Sequence, residues 1–196
     1  MTKKQLISIT IGLFIAIALG LRFYQLGDIP GSVNRDEAAI GYNAYSILKT
    51  GKDEFGKSFP LTFISFGDFK LPGYIYGSIP FISLFGLNPV SLRLLSAISG
   101  LLLIYTIYHL TLELTNSKKT SIIAALSLAL SPWAIFYSRT AYETNVATLL
   151  LTSGIVLILK GIKKPRLWII SAILIVISLF TYNNPYVVGP ILLLTI

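Results

Sequence analysis

Long apolar runs alternate with short polar breaks along most of the chain. The runs cover 6–26, 90–114, 120–137, 142–159 and 167–182. A helix needs about 20 mostly apolar residues to cross the hydrocarbon core of a bilayer, so each run reads as a transmembrane helix. The third to fifth are short and draw on flanking residues or local bilayer thinning. Pro185 interrupts the pattern, and a sixth run starts at Tyr186 but reaches Ile196 after 11 residues, too few to cross. The sequence therefore looks like the N-terminal part of a longer protein. Segment 27–89 has a different pattern. Asn34 can cap a helix starting at Arg35, with Glu37 closing a capping box. Ala38, Tyr42, Tyr45 and Leu48 recur at helical spacing and Gly51 stops the run. A second helix is predicted from Pro72 to Phe85, carrying Tyr74, Tyr76, Phe81 and Phe85, and too short to span. Both are expected to lie at the membrane surface with their rings at headgroup level. The fold class expected is all-α: a polytopic transmembrane helical protein with two interfacial helices in its first outer loop and no internal repeat.

Composition agrees with the pattern. The 196 residues are 54% hydrophobic and 12% charged, with mean hydropathy +0.76. That is roughly half the charge of a soluble domain, too little to solvate a globular surface. The net charge of +8 is spread in short clusters between apolar runs, which reads as topology and not as a nucleic-acid surface. With no cysteine, disulfides and thiolate metal sites are excluded, and the single histidine, His109, has no second histidine to form a metal pair. Lys3 and Lys4 before the first run resemble a signal peptide, but the apolar run continues past Ala16-Ile17-Ala18, so an uncleaved first span is expected, with Arg22-Phe23-Tyr24 as an interfacial anchor.

Basic residues set the orientation. Lys3 and Lys4, Lys118 and Lys119, and Lys160, Lys163, Lys164 and Arg166 lie in segments without acids, and alternation puts all three on the cytoplasmic side of a cell membrane. Loop 27–89 then faces outward and holds six of the eight acids: Asp28, Asp36, Glu37, Asp53, Glu54 and Asp68. Acids at a helix start are favoured by its dipole. With Glu37 suited to the cap, however, Asp36 is free to face a substrate as general base for a hydroxyl. Lys70, just before the second interfacial helix, either snorkels to headgroups or offers a point charge to a lipid phosphate. Arg139 and Glu143 flank the outer turn between the third and fourth spans. Thr140 to Glu143 reads as a capping box, yet charges this near an apolar boundary are also candidates for function.

In order, the chain holds Asn34-Arg35-Asp36-Glu37 through Tyr42, Lys49-Thr50-Gly51, Phe59-Pro60-Leu61, Lys70-Leu71-Pro72-Gly73-Tyr74, Pro89 through Ala97, Ser131-Pro132 and Tyr137-Ser138-Arg139. This series resembles the N-terminal part of the GT-C membrane glycosyltransferases, specifically the protein-mannosyltransferase and aminoarabinose-transferase-like superfamily. The resemblance implies sugar transfer from a polyprenyl-phosphate donor to a lipid, glycan or protein acceptor at the extracytoplasmic face. It assigns Asp36, with Glu37 beside it, to catalysis on the acceptor, Lys70 and Arg139 to the donor phosphate, and Glu143 to an acidic position of the site after the third span. Glu143 stands where the family more often has Asp, which leaves a divalent metal there an open question. Lys70 precedes Leu-Pro where a Pro-Pro pair is expected. The rival reading is a transporter or lipid-binding membrane protein, or an inactive fragment. Transporters place ionisable groups near the bilayer midplane, whereas here the runs are nearly free of charge and the acids gather in the outer loop.

Overall fold

The computed structural model describes residues 2–194. The elements among them run α1 (Lys3–Phe23), α2 (Arg35–Thr50), β1 (Phe63–Ser65), β2 (Asp68–Lys70), α3 (Pro72–Phe85), α4 (Pro89–Thr115), α5 (Lys118–Leu130), α6 (Pro132–Ser138), α7 (Glu143–Gly161), α8 (Leu167–Leu179) and α9 (Asn184–Leu194). Helix starts follow local chemistry. Asn34 and Asn88 each form a capping box, with Glu37 and Ser91 as the returning partners, so two otherwise orphaned amide ends are satisfied at each helix. Gly51 closes α2 in the left-handed region at φ 70°, which glycine adopts without steric cost.

Both helices expected in segment 27–89 form where the pattern places them. Between them lies a structure that it does not predict, a two-stranded antiparallel hairpin pairing Phe63 with Lys70 and Ser65 with Asp68. Its turn residues, Phe66 and Gly67, have φ of 50° and 85°, as a two-residue hairpin turn matched to strand twist requires.

The core has two parts. Ile40, Ala44 and Ile47 of α2 pack with Phe63, Tyr74, Ile75, Ile82, Leu92 and Val146, so the elements of segment 27–89 are seated on α4 and α7. Ala18, Ile104, Ala125 and Ala129 form a second cluster joining α1, α4 and α5. Gly73 sits where α3 meets the end of α8. Its amide donates to Phe180 O at 2.9 Å, and a Cβ there would lie 2.8 Å from Thr181 Cα.

Helices α4 and α7 are each long and apolar enough to cross a membrane. Segment 9–23 of α1 and helix α8 are shorter apolar helices, and Ile169, Ile173 and Val176 of α8 are each at least half exposed. Such apolar outer faces are costly in water and suited to lipid. The expected third span is not one helix. It is α5 and α6, bent by 61° at Ser131-Pro132. Pro132 has no amide proton to donate, so the ladder stops, and Ser131 restarts it by capping Ala134 N.

Three further expectations change. Arg22 is not an interfacial anchor: it is fully buried and donates to Ala18 O and, at 3.1 Å, to Ala129 O at the broken end of α5. The expected Thr140 capping box does not form either. Tyr142 is the N-cap of α7 without a side-chain cap bond, and the Thr140 hydroxyl donates to Phe136 O. Nor are the apolar runs as free of charge as they read, since Arg22 and Arg93 are both buried inside them.

Candidate functional site

A carboxylate, Glu37, assembles the site from inside. Arg93 Nε donates to Glu37 Oε1 at 2.9 Å and Arg93 Nη2 to Oε2 at 3.1 Å, with neither side chain exposed. Ala141 N donates to Oε1 at 2.8 Å, and Asn34 N donates to Oε2 at 3.1 Å. One side chain thereby ties α2 to α4 and to the turn before α7. Tyr142 reinforces the junction by accepting from Asn34 Nδ2 at 3.2 Å. Buried Tyr74 donates to Leu92 O at 2.9 Å. Burial first, and the nearby Glu37 charge second, push this phenol well above its ordinary pKa, so it stays a neutral donor.

Since Glu37 takes the cap, Asp36 is left to look outward. Its carboxylate meets Lys70 Nζ at 3.3 Å, and the same nitrogen lies 3.5 Å from Glu143 Oε1. Lys70 and Glu143 are largely shielded, with side-chain exposures of 13% and 7%, while Asp36 is 41% exposed. The three lie in the wall of a cavity of about 410 Å³, together with Arg35, Ser65, Phe66, Asp68, Tyr137, Tyr142, Thr144 and Tyr182. The hairpin sets Lys70 in place: β2 ends on it, just ahead of Pro72 at the start of α3. Glu143 stands in the first turn of α7, where the helix dipole favours a carboxylate. An ammonium between two carboxylates, one of them open to the cavity, can exchange partners when a new anion or proton arrives.

Of the five residues singled out from the sequence, Asp36, Lys70 and Glu143 come together. Glu37 adjoins them but spends its oxygens on Arg93, Ala141 and Asn34. Arg139 is not in the cavity wall. Its guanidinium donates to Leu21 O, Tyr24 O, Gln25 O and Ile29 O at 2.6 to 3.3 Å, clamping the last turn of α1 and the irregular chain after it. Arg93 extends the clamp to Leu26 O, Gly27 O, Pro30 O and Ser32 O. Sequence reasoning passed over Arg93, although a charge near the start of an apolar run is itself a signal. It also missed Ser65 and Tyr182, whose types are common and whose place depends on the hairpin and on α8. Among the described residues no three His, Asp or Glu side chains gather to hold a metal. The Asp36 and Glu143 carboxylates are instead bridged by Lys70, a set that fits a metal poorly.

Residues 73–196, more than half of the chain, match the family described as dolichyl-phosphate-mannose-protein mannosyltransferase. A comparison with curated proteins found no match. Among solved structures, the crystal structure of ArnT from Cupriavidus metallidurans in the apo state is similar, with a TM-score of 0.76 and 19% identity over 96% of this chain. At that identity the likeness concerns the fold alone. The chain spans 35% of the length of that structure, which also matches elements that precede residue 73. The chain therefore belongs to the dolichyl-phosphate-mannose-protein mannosyltransferase family and has the GT-C fold of a multi-pass membrane protein.

Proposed function

We propose that this chain forms the acceptor side and the phosphate contact of a membrane glycosyltransferase. The enzyme moves a sugar from a polyprenyl-phosphate donor to an acceptor hydroxyl at the extracytoplasmic face. The observation that carries this reading is Lys70 held between Asp36 and Glu143 in the wall of one cavity. The matching family's description names a dolichyl-phosphate-mannose donor, and the basic segments that bracket the apolar runs favour an outer position for loop 27–89.

In this mechanism the acceptor oxygen attacks the anomeric carbon as the bond from that carbon to the phosphate oxygen breaks. The bonding electrons leave with the lipid phosphate, and the acceptor proton passes to Asp36. A single displacement inverts the anomeric centre. Protonated Asp36 loses its hold on Lys70 as the phosphate gains charge, so the ammonium is released to the leaving group as it is needed. In a site partly closed to water such a charge is worth more than in bulk solvent. Glu143 keeps Lys70 positioned through the exchange, while Glu37, Arg93 and Arg139 hold the frame. No step requires a metal.

The test is Asp36→Asn in the intact protein, assayed with a polyprenyl-phosphate sugar. Turnover falls with donor binding retained if Asp36 is the base, and near-normal turnover overturns the assignment.

A further inference from the structure

A second cavity, of about 330 Å³, lies beside the first. It is walled by Ala38, Ala39 and Tyr42 of α2, by Glu54 and Phe55, and by Ile64, Ser65 and Phe66 of the hairpin. Ser65 and Phe66 belong to both cavities, so the hairpin tip is the partition between them. Three aromatic rings stand open here: Tyr42, Phe55 and Phe66 are 54%, 64% and 65% exposed. Ala38 and Ala39 leave the floor low. The Arg35 guanidinium lies 4.8 Å from the Phe66 ring centroid and braces it from the other side. Glu54 is held in place, accepting from Asn43 Nδ2 at 2.8 Å through Oε1 and donating its own amide to Asn43 Oδ1. Its Oε2 has no protein partner among the described residues. Ser65 is 6% exposed, and its hydroxyl is buried without a hydrogen-bond partner among the described residues. Buried polar groups are nearly always paired, so this hydroxyl is available to a polar group of a ligand seated beside it.

We propose that this second cavity is an acceptor subsite for a carbohydrate ring, a reading that rests on the transfer function above. A pyranose has an apolar C–H face and a rim of hydroxyls. The face suits the negative π-surfaces of Tyr42, Phe55 and Phe66. The rim suits the free oxygen of Glu54 and, after a small shift of the exposed Phe66 tip, the Ser65 hydroxyl. A hydrocarbon chain would leave the buried Ser65 hydroxyl unpaired, and a phosphate would meet the Glu54 carboxylate. A neutral polyhydroxyl ligand satisfies all of them, and the cavity it would fill shares Ser65 and Phe66 with the one that Asp36 lines.

The experiment uses the intact protein in phosphatidylcholine nanodiscs, with maltose as the saccharide probe and a soluble serine- and threonine-rich peptide as the rival. Binding is read by saturation-transfer NMR and donor binding separately with polyprenyl phosphate. Maltose should receive saturation from the protein, and its affinity should fall about threefold to tenfold in Phe55→Ala and in Tyr42→Ala, the scale of one lost ring contact. Phe55→Tyr, which keeps the ring, should restore it. No maltose signal, equal affinity in Phe55→Ala and the parent, or a ring-dependent signal from the peptide in place of the sugar each overturns the subsite. Polyprenyl-phosphate binding that ignores Lys70→Ala would instead overturn the transfer reading, and ring-dependent maltose binding would still support the subsite.

Discussion

Glu37 and Arg93 are 56 residues apart in sequence and share two hydrogen bonds, at 2.9 and 3.1 Å, in a place neither side chain leaves to solvent. This pair makes Asp36 available. With Glu37 turned inward to α4 and the turn before α7, its neighbour in the same first helical turn points toward Lys70 and the cavity.

Glu37→Gln should therefore act on folding. The amide cannot carry the charge that a buried guanidinium needs, and breaking one partner of a buried pair costs about 3–5 kcal/mol. Thermal unfolding in detergent should show a large drop in Tm, with Arg93→Lys also destabilised because the two-pronged geometry is lost. A Tm within two or three degrees of the parent for Glu37→Gln would refute the framing role.

Asp36→Asn keeps the shape and most of the hydrogen bonding. Its Tm and expression should stay close to the parent, while turnover of the intact protein falls by roughly 10²–10⁴, the usual worth of general-base assistance. The two neighbouring substitutions thus separate chemistry from architecture. Reversed effects would mean that their roles are exchanged.

Lys70→Ala should weaken binding of a polyprenyl phosphate more than Lys52→Ala does, because Lys70 lines the cavity and Lys52 does not. A lipid-overlay or nanodisc titration at two salt concentrations measures it. Equal losses from both would indicate nonspecific attraction to headgroups.

Gly73→Ala tests how α3 is seated. The added Cβ would stand 2.8 Å from Thr181 Cα, a backbone atom that cannot rotate away. Overpacking of this kind costs about 1–3 kcal/mol, so a lower Tm is expected together with weaker polyprenyl-phosphate binding, since α3 follows directly on Lys70. Full stability would show that the end of α8 yields easily.

Orientation is open to a clean labelling experiment because the chain has no cysteine. A cysteine placed at Ser58 should react with an impermeant maleimide in intact cells, and one at Ser117 should not. The opposite pattern would put the cavity on the cytoplasmic side and remove the basis for an extracytoplasmic acceptor.

The elements legible in the sequence are those governed by neighbours a few residues apart. Helices α2 and α3 start and stop where Asn34, Glu37, Gly51 and Pro72 say they should, because caps and fixed φ angles act within one turn. Asp36 and Lys70 stood out for the same reason, through local motifs. The break at Ser131-Pro132 was visible as a dipeptide, but whether it closes a span or bends it by 61° depends on Arg22, Gly100 and Ser138 packing around it. Tertiary structure alone decided the rest. Thr140 to Glu143 has the letters of a capping box, yet the Thr140 hydroxyl bonds back to Phe136 O, which leaves the Glu143 carboxylate for Lys70. Arg139 reads as a phosphate ligand until the end of α1 and the chain after it appear beside it, where its guanidinium meets four backbone carbonyls. An irregular segment packed among apolar helices must find its hydrogen bonds in the protein. Two arginines far away in sequence, Arg93 and Arg139, serve such carbonyls, and no local pattern encodes which carbonyls they will meet.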